Sequence, residues 1–152
     1  SQFSPKRIIL DRNLETNLKS YIAKSIKNEN TIIFHNSNDK SKIKLLKKRG
    51  TILIKQSTDK YKNLDLKKIL KELYKMEIRN LLVEGGDILT KNFIQKKLFN
   101  EFFLFRSSKN LSKNKKHVNF TSFSILNTKY NKHKINSKLA NDKLTIYKNW
   151  NV

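Results

Sequence analysis

Four consecutive residues, Glu84-Gly85-Gly86-Asp87, combine a carboxylate with a backbone turn. They follow the short apolar run Leu81-Leu82-Val83 and precede a helix-like pattern. A strand, a glycine turn and a helix in this order leave backbone N–H groups free at the helix N-terminus, which suits a phosphate or another anion. Because the chain has only three glycines, the adjacent pair predicts a place where a side chain would obstruct the backbone or a ligand. The alternative is a plain turn, since α/β loops also use Gly-Gly for turning alone.

Length and composition indicate the class of protein. The 152 residues suit a single domain with its own core, and a content of 37% hydrophobic residues predicts a folded chain. The absence of cysteine excludes disulfides and thiolate metal sites, and it fits a reducing cytoplasm. No apolar run approaches the roughly 18 residues of a membrane span. We therefore expect a cytoplasmic protein without a membrane partner.

A formal net charge of +22 raises the alternative of a basic nucleic-acid-binding α/β module without enzymatic activity. Five of the 34 basic residues are arginine, which is the residue better suited to bidentate contacts with phosphates and bases. The lysines are spread along the chain and are densest over residues 109–116 and 132–134. This distribution favours a solvated surface that binds nucleic acid only non-specifically and at low salt.

Apolar runs and helical patterns alternate along the chain. Strands are predicted for the short apolar runs at residues 7–11, 31–35, 51–54, 81–84, 99–106, 123–127 and 144–148. Helices are predicted where apolar residues recur at helical spacing, at residues 40–48, 66–76 and 87–96. Residues 18–26 are predicted to be irregular or briefly helical.

This alternation predicts an α/β fold with three layers, α/β/α, and a mixed sheet that is mainly parallel. Residues 123–127 and 144–148 are expected to form an antiparallel C-terminal pair around a polar loop. Ligands of such sheets lie at the carboxyl ends of the strands, where Asp11-Arg12, His35-Asn36 and Glu84 would fall. Asp11 itself is predicted to be an acid that caps a loop.

Two stretches of the chain form an ordered pair of motifs. Residues 5–14 read Pro-Lys-Arg-Ile-Ile-Leu-Asp-Arg-Asn-Leu, and residues 81–86 read Leu-Leu-Val-Glu-Gly-Gly. A helix, a turn at Leu98 and Asn100-Glu101 before an apolar strand follow the second stretch. The stretches resemble the P-x-R-x-x-L-D strand and the hL-V-E-G-G…L…V-D-E signature of the C-terminal reductase domain of the bifunctional riboflavin biosynthesis deaminase/reductase. The resemblance covers essentially the entire chain.

This resemblance implies a fold like that of dihydrofolate reductase, and it implies a reaction. The family uses NADPH to reduce the ribosyl group of 5-amino-6-(5-phosphoribosylamino)uracil to the ribitylamino compound. Glu84 would bind this phosphoribosylaminouracil substrate. NADPH would be bound by the glycine turn and the start of the next helix, which are Gly85, Gly86, Asp87, Ile88, Leu89, Thr90, Lys91 and Asn92.

Arg12 would lie where the family contacts the cofactor, often with a small hydroxyl residue. The arginine departs from that pattern, and it would either pair with a cofactor phosphate or block the usual contact. No residue is assigned as catalytic, because hydride transfer depends on positioning more than on acid–base groups. No metal is expected, since His35, His117 and His133 lie far apart in the sequence.

Part of the family pattern is absent. The family begins with a strand that carries a T-S-x-D-G segment, and the fused deaminase has an H-x-E…P-C-x-x-C zinc signature. Neither precedes residue 5. Because the missing strand would be central in the sheet, residues 1–152 are expected to be the cofactor-side portion of a single, N-terminally truncated reductase domain. Either the chain is a fragment of a longer protein or a partner supplies the rest, and the activity of the chain alone stays open.

The aromatic strand predicted at residues 99–106 indicates that this chain binds a partner. In strand geometry Phe103 and Phe105 share one face, and Phe102 and Leu104 share the other. An element that is apolar on both faces must be covered on both. We therefore expect a homo-oligomer, such as a homodimer, or a complex with the missing N-terminal segment.

Overall fold

The computed structural model describes residues 5–108, 120–135 and 141–149. Within these ranges the chain forms six strands and five helices. They belong to two compact units, Ser1–Arg79 and Asn80–Val152, which are called the first unit and the second unit below. Each unit has its own sheet. The prediction that residues 1–152 make one truncated domain stays a prediction.

The first unit contains a parallel sheet of three strands. β1 (Arg7–Leu10), β2 (Thr31–His35) and β3 (Ile52–Lys55) lie side by side in this order, and both pairings are parallel. All five residues of β2 are buried, as expected for a central strand that is covered on both faces. The three apolar runs predicted these strands, and the parallel part of the predicted fold class is confirmed.

Three helices accompany this sheet: α1 (Tyr21–Lys24), α2 (Lys40–Lys48) and α3 (Leu66–Lys75). The side chain of Asp39 accepts a hydrogen bond from the backbone of α2, and that of Asp65 accepts two from the backbone of α3. Each such cap stabilises a helix by about 1 kcal/mol. The apolar face predicted for α3 is confirmed, since Leu66, Ile69 and Leu73 are buried. The core of the unit includes the buried residues Leu14, Ile26, Ile33 and Leu46.

The second unit packs an antiparallel sheet on helices. Its strands are β4 (Glu101–Arg106), β5 (Asn131–Ile135) and β6 (Lys143–Lys148), in the order β4-β6-β5. Its helices are α4 (Asp87–Gln95) and α5 (Phe123–Lys129). Ile94 of α4, Leu126 of α5 and Tyr147 of β6 form the buried centre, against which Phe102 and Leu104 pack. An antiparallel C-terminal part of the sheet was predicted and is confirmed.

The strand predicted at residues 81–84 is wrong. Leu81, Leu82 and Val83 belong to no strand, and Leu82 is 82% exposed. The backbone N–H groups of these three residues make no hydrogen bond to any residue that the structure describes. An apolar run predicts a segment that could enter a sheet, but a strand also needs a neighbouring strand to accept its hydrogen bonds.

The partner predicted for the last strand is also wrong. Residues 123–127 belong to α5, and β6 pairs instead with β5, which lies in the predicted polar loop. A short apolar run does not distinguish helix from strand by periodicity alone. β5 has no burial pattern to reveal it, because all five of its side chains are exposed. Its pairing with β6 rests on the backbone.

Candidate functional site

The glycine turn leads directly into α4 and leaves the first N–H groups of the helix free. Gly86 occupies the N-cap position, where it offers no side-chain hydrogen bond. The N–H groups of Asp87, Ile88 and Leu89 make no hydrogen bond to a described residue, whereas that of Thr90 donates to the Gly86 carbonyl at 3.1 Å. Free N–H groups and the positive end of the helix dipole together favour an anion at this position.

The two glycines of the turn differ in what surrounds them. A Cβ atom added to Gly85 would lie 2.8 Å from Leu89 Cδ2, and therefore the packing of the turn on its own helix favours glycine there. A Cβ atom added to Gly86 would meet nothing within 4 Å. Its φ of −70° also suits any residue. Neither backbone conformation nor packing therefore requires glycine at Gly86, and the space in front of it is open to a ligand.

The Asp87 side chain is held by a residue from a different part of the second unit. Its Oδ1 accepts a hydrogen bond from the Thr121 N–H at 3.1 Å, and its Oδ2 accepts one from the Thr121 hydroxyl at 3.0 Å. Thr121 precedes α5 in the chain. The sequence does not reveal this contact, because a threonine in a loop 34 positions away carries no motif.

A buried hydroxyl lies next in the chain. Ser122 is fully buried, and its Oγ has no hydrogen-bond partner among the described residues. The Ser122 carbonyl accepts a hydrogen bond from the Leu126 N–H at 3.2 Å, which joins it to α5. The backbone that presents Thr121 is therefore anchored in the core of the second unit.

The remaining residues of the predicted cofactor site differ in their hydrogen bonds and in their exposure. The Thr90 hydroxyl donates to the Gly85 carbonyl at 3.4 Å, and the Asn92 amide donates to the Ile88 carbonyl at 2.9 Å. These two side chains therefore bond to their own turn and helix. Lys91 is exposed, and so is Ile88, while Leu89 is half-buried.

Glu84, the predicted substrate contact, is exposed just before the turn. Its carboxylate makes no hydrogen bond to the described part of the chain. An exposed carboxylate at this point can accept hydrogen bonds from hydroxyl groups of a bound molecule. Its predicted role stays a prediction.

In the first unit, the carboxyl ends of the three strands are joined by backbone hydrogen bonds. The Asp11 N–H donates to the Phe34 carbonyl at 3.0 Å, and the Asn36 N–H donates to the Arg12 carbonyl at 2.8 Å. The His35 carbonyl accepts a hydrogen bond from Gln56 at 2.7 Å. Asp11-Arg12 and His35-Asn36 therefore share one edge of this sheet, as the alternation of elements predicts.

Asp11 caps the loop after β1, as predicted. Its carboxylate accepts hydrogen bonds from the Glu15 N–H at 2.8 Å, the Thr16 N–H at 2.7 Å and the Thr16 hydroxyl at 2.6 Å. Burial acts to raise the pKa of Asp11, but these hydrogen bonds outweigh it and leave the pKa lowered.

Arg12 is exposed, and part of its guanidinium is in use. Nε donates to the Asn13 side chain at 3.2 Å, and Nη1 donates to the Lys62 carbonyl. A guanidinium has five N–H donors, and those on Nη2 bond to no residue in the described ranges, which leaves them for an acceptor such as a phosphate. The role predicted for Arg12 at the cofactor stays a prediction.

The described residues also show whether a metal site or a membrane-spanning helix is present among them. Within the described ranges, no three His, Asp or Glu side chains form a group that could hold a metal ion. None of the helices in those ranges combines the length and the apolar character that crossing a bilayer requires. The basic segment 109–116 and His117 lie outside the described residues.

Comparison with known proteins identifies a family whose sequence model this chain matches. The sequence model of the family described as the RibD C-terminal domain matches residues 1–138. The riboflavin biosynthesis protein RibD of Aquifex aeolicus (strain VF5) is 31% identical over 105 residues. The match covers 69% of this chain and 28% of that protein.

Solved structures share the fold. Acinetobacter baumannii RibD has TM-scores of 0.68 in form 2 and 0.65 in form 1, with 20% and 19% identity, over 95% of this chain and 37% of that one. A pyrimidine reductase-like protein of Corynebacterium diphtheriae has a TM-score of 0.65 and 14% identity, over 95% of this chain and 60% of that one. The chain thus spans between 28% and 60% of the length of these relatives. The predicted fold class, α/β like dihydrofolate reductase, is confirmed, and the match over residues 1–138 shows that this chain belongs to the RibD C-terminal domain family.

Proposed function

We propose that this chain is the cofactor-side portion of a reductase of riboflavin biosynthesis. The enzyme uses NADPH to reduce 5-amino-6-(5-phosphoribosylamino)uracil to the ribitylamino compound. Membership of the RibD C-terminal domain family points to an oxidoreductase of this pathway. The name of the Aquifex relative refers to riboflavin biosynthesis, and that of the Corynebacterium protein refers to a pyrimidine reductase. A cytoplasmic location is part of the proposal.

The start of α4 is the observation that carries the cofactor part of the proposal. The N–H groups of Asp87, Ile88 and Leu89 bond to none of the described residues, and the N-cap Gly86 offers no side-chain hydrogen bond. The space beyond Gly86 is open. A pyrophosphate accepts several hydrogen bonds and carries negative charge, so its chemistry fits these donors and the helix dipole.

When bound, NADPH supplies the hydride that reduces the ribosyl group. The residues of this chain would bind and orient the cofactor and the substrate. The N–H groups at the start of α4 would hold the pyrophosphate. Glu84 accepts hydrogen bonds from a substrate hydroxyl. Hydride transfer depends mainly on such positioning, so the chain needs no acid–base pair for it.

The test is a fluorescence titration of the intact native polypeptide with NADPH, for the wild type and for Gly86→Asp. An aspartate at the N-cap would itself accept hydrogen bonds from the free N–H groups and would repel a phosphate. The variant should therefore bind NADPH at least about tenfold more weakly and unfold at the same or a higher temperature. Opposite effects on binding and stability are not expected if the turn is purely structural.

Ser124→Asp is the matched control, because it adds the same charge to the first turn of α5 at an exposed position. It should bind NADPH like the wild type. Wild-type affinity in Gly86→Asp, or no NADPH binding by the wild-type polypeptide, would refute the proposal.

A further inference from the structure

The only acidic residue in the first turn of α4 is a potential obstacle to an anionic ligand. Asp87 occupies the first position of the helix. A carboxylate there can accept hydrogen bonds from the free N–H groups of its own turn, and it carries the same sign of charge as a pyrophosphate. If the carboxylate capped the helix in this way, it would occupy the donors that the proposed cofactor needs.

The structure has the Asp87 carboxylate engaged elsewhere. Oδ1 accepts from the Thr121 N–H at 3.1 Å and Oδ2 accepts from the Thr121 hydroxyl at 3.0 Å. Neither oxygen accepts a hydrogen bond from Ile88 or Leu89. Both oxygens of the carboxylate thus accept a hydrogen bond from the same residue, and hydrogen bonds of this kind to a charged group are stronger than those between neutral groups.

Thr121 is well supported for such a role. The next residue, Ser122, and the Leu126 side chain one turn later are both fully buried. The backbone at Thr121 is therefore joined directly to the core of the second unit through Ser122. A restraint on the carboxylate requires a support of this kind, because a mobile partner would move with the side chain.

We propose that Thr121 is a positioning residue for the cofactor. It holds the Asp87 carboxylate by two hydrogen bonds, so that the N–H groups at the start of α4 stay available to the cofactor pyrophosphate. This inference rests on the proposed function. It assigns to Thr121 an effect that depends on the negative charge of Asp87.

The dependence on charge gives a double-mutant test in the intact native polypeptide, with NADPH affinity and thermal unfolding measured for each variant. Thr121→Val keeps the size of the side chain and the backbone N–H bond but removes the hydroxyl bond. It should weaken NADPH binding by about tenfold, because a carboxylate held by one hydrogen bond instead of two can turn and compete for the N–H groups. Thr121→Ser restores the hydroxyl and should restore the affinity.

Asp87→Asn removes the charge that Thr121 restrains. In that background, Thr121→Val should change NADPH affinity by less than about twofold. Thr128→Val is the matched control, because the Thr128 hydroxyl bonds only to carbonyls of its own helix, at 3.0 and 3.4 Å. It should bind NADPH like the wild type.

Three results would overturn the inference. Wild-type affinity in Thr121→Val would show that the hydroxyl bond has no effect on the cofactor. An equal loss of affinity with Asp87 and with Asn at that position would assign Thr121 a purely structural role. In both cases the proposed function survives if the wild type binds NADPH. A wild type that binds no NADPH would instead refute the proposed function and the inference with it.

Discussion

At the start of α4, two adjacent glycines have different physical reasons to be glycine. A Cβ at Gly85 would lie 2.8 Å from Leu89 Cδ2 and 3.3 Å from Leu89 Cβ, whereas one at Gly86 would meet open space. The first position thus serves the packing of the turn, and the second leaves room for a ligand. The sequence predicted a purpose for the pair, but only the structure separates the two positions.

The first prediction follows from this difference. Gly85→Ala should lower the free energy of unfolding by about 1 kcal/mol, because Leu89 must move away from the added methyl group. Gly86→Ala should change it by a few tenths, the difference between glycine and alanine at an N-cap being small without a clash. Urea unfolding of the two variants measures both values. A larger loss for Gly86→Ala than for Gly85→Ala would contradict the assignment.

His35 is a buried residue whose protonation affects the stability of the whole first unit. It is 3% exposed, and burial lowers the pKa of its imidazole below the usual 6.5. The neighbouring Ser37 backbone and the charge of Asp11 oppose this effect, while the charges of Lys55 and Lys47 add to it. As pH falls through about 6.5, the unfolded chain takes up the proton before the folded chain does, and the free energy of unfolding decreases.

We therefore predict that the first unit loses stability between about pH 7.5 and about pH 5.5. His35→Leu should remove this loss, since the variant has nothing to protonate at that position. The pKa of Asp11 is also lowered, but from 3.8, so its contribution is lost only at more acidic pH. Urea unfolding at the two pH values provides the measurement. The same decline in His35→Leu as in the wild type would exclude His35 as its cause.

Elements with strong periodicity could be read from the sequence. The face predicted for α3 comprises Leu66, Ile69, Leu70, Leu73 and Met76, of which Leu66, Ile69 and Leu73 are buried and the other two half-buried, and Asp65 caps the helix. β2 contains the apolar run Ile32-Ile33-Phe34 and is buried throughout. In such elements the side chains themselves determine the structure, because burial of that face is the main favourable term.

Elements that depend on a neighbour could not be read in this way. β5 is exposed at every position and exists through its backbone pairing with β6. Residues 81–84 have the side chains of a strand but no paired backbone. The contact between Asp87 and Thr121 joins residues 34 positions apart. Pairing and long-range hydrogen bonds are properties of the folded chain and leave no local pattern.

The unpaired segment at residues 81–83 leads to a prediction about amide hydrogen exchange. In the chain as it stands, the amide hydrogens of Leu81, Leu82 and Val83 should exchange with solvent rapidly, because nothing protects them. The amides of Ile33 and Phe34 in the buried β2 should exchange slowly. Hydrogen exchange followed by mass spectrometry or NMR measures both. Strong protection of residues 81–83 would mean that the segment pairs as a strand after all.

At the scale of the whole molecule, one face of the antiparallel sheet is not covered by α4 and α5. Phe103 and Phe105 are 47% and 63% exposed on this face. Phe105 lies opposite Leu144, which lies opposite Ile135. Glu101 and Lys148, at the end of the same face, are ion-paired at 3.3 Å. The face therefore has an apolar patch next to one ion pair that adds no net charge, although the chain as a whole carries +22.

We expect a second copy of the chain to cover this face, and the homo-oligomer stays a prediction. Because like net charges repel and salt screens them, association should strengthen as salt is raised, whereas binding to nucleic acid would weaken. Phe105→Ser should weaken association. Tyr61→Ser, at a 70% exposed aromatic residue of the first unit, is the matched control. Light scattering that finds a monomer at every salt concentration would contradict the prediction.

The central claim is that the free N–H groups at the start of α4 hold the pyrophosphate of NADPH. Its most direct test is an NMR titration of the intact native polypeptide with NADPH. The amide signals of Asp87, Ile88 and Leu89 should shift strongly, since they would gain a charged acceptor. Those of Lys67 and Lys68 in the first turn of α3 should not, because Asp65 already accepts their hydrogen bonds. Unchanged signals at the start of α4 under saturating NADPH would contradict the claim.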